Sequence, residues 1–73
     1  MIFVVPNQNG NTRQLRSTVK MWRSLTEMEG VLPLSIRRAI NHALSTHNGG
    51  STAVITFSRE DAAMIMNKIG LAP

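Results

Sequence analysis

The 73-residue sequence has no cysteine, no tyrosine and only four acidic residues. Without cysteine there is no disulfide, no thiol nucleophile and no thiolate ligand, and a reducing compartment fits. The two histidines, His42 and His47, are five positions apart with no carboxylate near them. Two lone imidazoles make a poor zinc set, so neither a metal nor another cofactor is expected. Of the acids, Glu27 and Glu29 are two positions apart and would not face each other on a helix. Glu60 and Asp61 are adjacent where a helix should begin, and there negative charge complements the helix dipole. None of the six serines has a histidine context suggesting a base. No catalytic residue is therefore expected, and the chain reads as a binding protein rather than an enzyme.

Long apolar runs are also missing. No stretch approaches the ~20 residues that a membrane span needs. The opening Met1-Ile2-Phe3-Val4-Val5-Pro6 lacks the basic start and long apolar region of a signal peptide, so a cytoplasmic protein is expected. Aromatics are few: Phe3, Trp22 and Phe57 all fall on expected core faces, which makes RNA binding through stacking a weak reading. Nor is there a phosphate loop. Asn7-Gln8-Asn9-Gly10-Asn11 follows a strand but lacks the Gly-Lys-Ser/Thr ending.

What the chain does have is apolar content and unbalanced charge. Hydrophobic residues make up 42% and charged residues 16%, a composition that folds rather than stays disordered. A single domain spanning 1–73 is expected, with a thin core. The net charge is +4. Arg13, Arg16, Lys20 and Arg23 precede the first acid, Glu27, and Arg37 and Arg38 stand in a second acid-free stretch. Arg59 and Lys68 are balanced by Glu60 and Asp61. The positive field belongs to the first two-thirds of the chain and implies a partner of negative potential, either nucleic acid or an acidic protein surface.

Pattern supplies the elements. Ile2–Val5 reads as a strand apolar on both faces, followed by a turn at Asn7–Asn11. Asn11 or Thr12 would cap a helix running to about Met28 and stopped by Gly30. At 100° per residue Leu15, Val19, Trp22 and Leu25 share one face, with Arg13, Arg16, Lys20 and Arg23 on a stripe beside it. A second helix is expected from Leu34 or Ser35 to Ser45, burying Ile36, Ala39, Ile40, Ala43 and Leu44. Thr52–Phe57 alternates as a strand with Ala53, Ile55 and Phe57 inward. Ser58 caps a third helix with Asp61 at the capping-box position. Ala62, Ile65, Met66 and Ile69 form its stripe, and Gly70 ends it before a Leu71–Pro73 tail. The expected fold is α+β in the order β-α-α-β-α, a two-stranded sheet covered on one face by three helices. The strands should be neighbours, and parallel if the helix pair acts as a crossover. No internal repeat is evident.

The expected partner-binding residues are Arg13, Arg16, Lys20, Arg23, Arg37 and Arg38. A second reading is direct DNA binding by a helix-turn-helix, with Gly30 in the turn, Arg37 and Arg38 opening a recognition helix and Asn41 behind them. Against it, Glu29 occupies a place that should be apolar. A third is self-association through Ile2–Val5, a strand free to pair with its twin. A monomer or weak dimer is expected. Met21 and Met64 fall at the edges of their helices' apolar faces, where thioethers suit adaptable contacts or fill gaps in a thin core.

The strand Ile2-Phe3-Val4-Val5, the basic segment Thr12-Arg13-Gln14-Leu15-Arg16 and the small, basic, cysteine-free whole resemble the RNA-polymerase-binding transcription regulators (antitermination factors) of Xanthomonas phages. The resemblance spans the whole chain. It implies a factor that works in the infected bacterium and binds host RNA polymerase near the amino-terminal part of the largest subunit. Such a factor inhibits promoter-dependent initiation and promotes reading through terminators. It carries no diagnostic motif and assigns no contact residue to a position here.

Overall fold

Thr18 is both the last residue of a strand and the cap of a helix, and this junction organises the first half of the chain. Its side-chain oxygen accepts a hydrogen bond from the Met21 amide at 3.0 Å. The computed structural model, which describes residues 1–6 and 10–69, has the order β1 (Phe3–Val4), β2 (Thr12–Thr18), α1 (Val19–Glu27), α2 (Leu34–Ser45), β3 (Thr52–Ser58) and α3 (Arg59–Lys68). The fold is a small α+β domain, with three helices and a three-stranded antiparallel sheet ordered β1-β2-β3. The expected turn residues 7–9, the Gly70 stop and the tail lie outside the described residues.

Three expectations are corrected here: the extent of the first helix, the number of strands and how they pair. The helix expected from residue 12 to 28 is a strand followed by a helix, and its cap is Thr18 rather than Asn11 or Thr12. Thr12–Thr18 alternates at period two, with Leu15 and Ser17 buried and Thr12, Gln14, Arg16 and Thr18 exposed. Pairing on both sides, with β1 and with β3, overrides the weak helical periodicity of a segment containing one large apolar residue. The sheet consequently has three strands rather than two. β1 pairs with β2 and not with β3, and both pairings are antiparallel rather than parallel.

The helices cover one face. Ala53, Ile55 and Phe57 of β3 turn towards them beside Leu15 and Ser17, and all five are buried. From the helices come Trp22 and Leu25, then Ile36 and Ile40, then Ala62 and Ile65. Ala39, expected in this layer, is exposed. Trp22 is fully buried at the centre, its indole Nε1–H donating to the Ala53 carbonyl at 3.1 Å and its ring 5.9 Å from that of Phe57. Buried Ser17 donates its hydroxyl hydrogen to the Met1 carbonyl at 2.9 Å, which ties the N-terminal segment to the sheet.

The structure repeats a unit that the sequence hides. β2 runs into α1 through the Thr18 cap, and β3 runs into α3 through Ser58, whose Oγ accepts from the Asp61 amide at 3.1 Å. The register pairs Thr12 with Ser58, Leu15 with Ile55 and Thr18 with Thr52, a two-fold arrangement about Leu15 and Ile55. The Val19 N–H donates to the Ser51 carbonyl at 2.9 Å, and its counterpart, the Arg59 N–H, donates to the Asn11 carbonyl at 3.1 Å. Buried positions correspond while side-chain sizes are exchanged: Ser17 matches Phe57, and Trp22 matches Ala62. This exchange of bulk is why no repeat is visible in the letters.

Both caps should contribute measurably. Thr18→Ala or Ser58→Ala removes one amide acceptor at a helix start, a loss of ~1 kcal/mol. For a domain of this size that corresponds to a melting temperature lower by roughly 4–8 °C. Thermal unfolding followed by circular dichroism tests this; an unchanged midpoint for Ser58→Ala would mean that the cap contributes nothing.

Candidate docking surfaces

A strand that carries arginines on both sides sends them in opposite directions. On β2, Arg16 points to the open face of the sheet, while half-buried Arg13 lies on the helix-covered side with Leu15. Lys20 and Arg23 are exposed on α1. The single helical stripe expected for these four cations is therefore corrected: they belong to a strand and a helix and reach at least three surroundings.

Arg16 stands on the open face. Its guanidinium carbon is 5.8 Å from the centroid of Phe3, the residue opposite it in the β1–β2 register. On its other side the register places Val54. Phe3 is 51% exposed and Val54 51% exposed, so a cation sits between two apolar side chains open to solvent. Phe3, expected in the core, is thus a surface residue. Ile2 instead turns inward, 3% exposed, because one short strand apolar on both faces can bury only one of them. Around this centre stand Thr18, Thr52, Gln14 and Thr56, the last two linked at 3.5 Å. No strand contributes an acid, since the four carboxylates lie at Glu27, Glu29, Glu60 and Asp61.

Arg13 and Arg59 both line a groove of about 280 Å³ together with Leu15, Ala62 and Met66. The Arg13 guanidinium is committed locally, donating to the Thr12 carbonyl at 2.8 Å and towards that of Gly10 at 3.4 Å. Arg23 lines a polar hollow between α1 and α2 with Asn41, Leu44 and Ser45. Half-buried Arg37 and exposed Lys68 line a second groove with Leu32, Leu34 and Met64, and the Arg37 Nε is buried without a hydrogen-bond partner among the described residues. Arg38 remains exposed on α2.

A helix-turn-helix pairing of α1 and α2 has less geometric support. Gly30, with φ of +77°, does turn the chain between them. However, the connector runs through residues 28–33, longer than the three to four residues usual for that motif. With Arg37 turned partly inward, Ser35, Arg38 and Asn41 are the exposed polar residues of the first two turns of α2. Among the described residues, no group of three or more His, Cys, Asp or Glu is gathered where a metal could sit. No helix among them is long and apolar enough to cross a membrane.

The sequence hides the open face, because Phe3 reads as a core residue and Arg16 as part of a helix. The one usable signal was the outward half of Thr52–Phe57, which puts Val54 among threonines. Comparison with known proteins adds nothing to this geometry: no family model, curated protein or solved structure matches the chain.

Proposed function

We propose that this chain is a non-catalytic regulator of bacterial transcription that binds host RNA polymerase, inhibits initiation and promotes antitermination, and that it docks through the open face of its sheet. The observation that supports a docking face is the acid-free platform of Phe3, Arg16 and Val54. Polymerase as the partner, and the host cytoplasm as the location, come from the resemblance of the sequence to phage regulators. Exposed aromatic and aliphatic side chains act as anchors at protein interfaces, and an arginine between them pairs with a carboxylate on the partner. The field of a +4 molecule speeds encounter with an acidic surface. A pulldown from nuclease-treated bacterial lysate is expected to retain RNA polymerase. Loss of polymerase on nuclease treatment would transfer the binding to nucleic acid, and its absence from both samples would end the proposal.

A second reading rests on the same pair. An arginine over an exposed phenylalanine is also a stacking platform for unpaired bases. That mode predicts affinity for single-stranded oligonucleotides that falls steeply with salt, with a log–log slope of roughly −0.7 per phosphate contact. A mobility-shift titration at low salt that shows no complex would remove it.

A further inference from the structure

β3 is a seven-residue strand at the rim of the sheet, and among the described residues it pairs with β2 alone. The hydrogen bonds at the two ends of the ladder fix which way its backbone groups point. Val19 N–H meets the Ser51 carbonyl, Arg59 N–H meets the Asn11 carbonyl, and hydrogen-bonded pairs recur at every second position of an antiparallel ladder. Ala53, Ile55 and Phe57 therefore use their backbone groups towards β2. The N–H and C=O groups of Thr52, Val54 and Thr56, and the N–H of Ser58, point away from it along the rim. Thr52, Val54 and Thr56 are exposed.

Proteins usually blunt such an edge with charge, proline or a bulge. This one has none of the three. The chain between Arg38 and Arg59 contains no Lys, Arg, Asp, Glu or Pro, and the β2–β3 register runs without interruption from Thr52 to Ser58. By the two-fold relation of the strand pair, the rim of β3 corresponds to the outer edge of β2, and that edge already accepts a strand, β1.

We propose that a second copy of this chain docks there, β3 against β3, antiparallel about a two-fold axis at Ile55, to form a six-stranded sheet. The occupant follows from the strand's self-complementarity. Buried and open faces must stay continuous across the junction, and centring on Ile55 pairs all seven residues. Ala53 then stands opposite the other copy's Phe57 and Ile55 opposite its twin on the covered face, a small residue against a large one. On the open face Thr52 stands opposite Ser58 and Val54 opposite Thr56, matching hydroxyl to hydroxyl and β-branch to β-branch. Each copy carries +4, so contact between copies has to be made where charge is missing, and no charged side chain enters any of the seven pairs. A single strand pair makes a weak, isologous and concentration-dependent dimer. It lays the two Phe3–Arg16 platforms on one continuous face.

Sedimentation equilibrium is expected to show the mass rising from 8.1 kDa towards twice that value between micromolar and millimolar chain. A sample mixing labelled and unlabelled chains should give an intermolecular nuclear Overhauser contact between the Hα atoms of Ala53 and Phe57, which are close only in this register. Val54→Pro removes a rim N–H that β2 does not use and should remain monomeric. Thr56→Lys, which keeps the backbone, should weaken the dimer tenfold or more, with circular dichroism reporting the fold of both variants. The proposal is overturned if the wild-type chain stays at the monomer mass throughout, or if both folded variants associate as the wild type does. Intermolecular contacts arising from the Ile2–Val5 segment instead would overturn it too, as would a monomeric wild-type chain whose rim takes up a strand from another polypeptide.

Discussion

Trp22→Ala is expected to leave the chain largely unfolded at 25 °C. Trp22 is fully buried, makes a tilted ring contact with Phe57 and donates to the Ala53 carbonyl, so it joins α1 to β3 near both ends of the strand. Removing the indole creates a cavity that a two-layer domain closes poorly, at a cost of roughly 3–5 kcal/mol. The lost hydrogen bond adds ~1 kcal/mol. A domain this small has a total stability near the lower end of the usual range, about 5 kcal/mol, so the two losses together consume it. Trp22→Phe keeps a ring beside Phe57 and loses the donor and some volume. It should fold with a lowered melting temperature. Far-UV circular dichroism and amide dispersion in a proton–nitrogen correlation spectrum distinguish the two outcomes. A melting temperature for Trp22→Ala within a few degrees of wild type would show that the core is organised around something other than the indole.

Arg16→Glu is expected to reduce polymerase capture tenfold or more while leaving the fold intact. The side chain lies on the open face, so a carboxylate there is solvated and costs the sheet little. At an interface the same change removes a cation and sets a negative charge against an acidic partner, and buried anchors of this kind are worth ~2 kcal/mol or more. Phe3→Ala should lower affinity by a similar factor with weak dependence on salt, whereas the Arg16→Glu loss should shrink as salt rises. Lys20→Glu combined with Arg23→Glu serves as the contrast, because both residues belong to α1 rather than to the sheet. That pair should change affinity less than threefold, an effect confined to long-range steering. If the α1 pair abolishes capture and Arg16→Glu does not, the docking face lies on the helices.

The second half of the chain was more legible than the first, for identifiable reasons. Thr52–Ser58 alternates cleanly, and Ser58 with Asp61 marks a cap, so β3 and α3 lie where the pattern puts them. α2 is likewise set out by Ile36 and Ile40 and bounded by Pro33. In the first half, Thr12–Thr18 contains a single large apolar residue, Leu15, which fits period two and period 3.6 equally well when joined to Val19, Trp22 and Leu25. Only its partners on both sides make it a strand, and pairing partners are non-local information. The same ambiguity extends to the site, because a helix over residues 12–28 would align four cations that the fold separates. Arg16, retained from that set, gains its meaning from Phe3, a neighbour far away in sequence.

The crossed bonds at the two strand-to-helix junctions bear on how the molecule comes apart. Each helix starts with an amide that closes the far end of the other unit's ladder: Val19 reaches Ser51, and Arg59 reaches Asn11. Fraying the first turn of α1 therefore opens the rung beside Thr52, and fraying α3 opens the rung beside Thr12. Neither helix has a private unravelling route at its N-terminal end. Such an interlock makes all-or-none melting the natural behaviour of a chain that has no disulfide to enforce it.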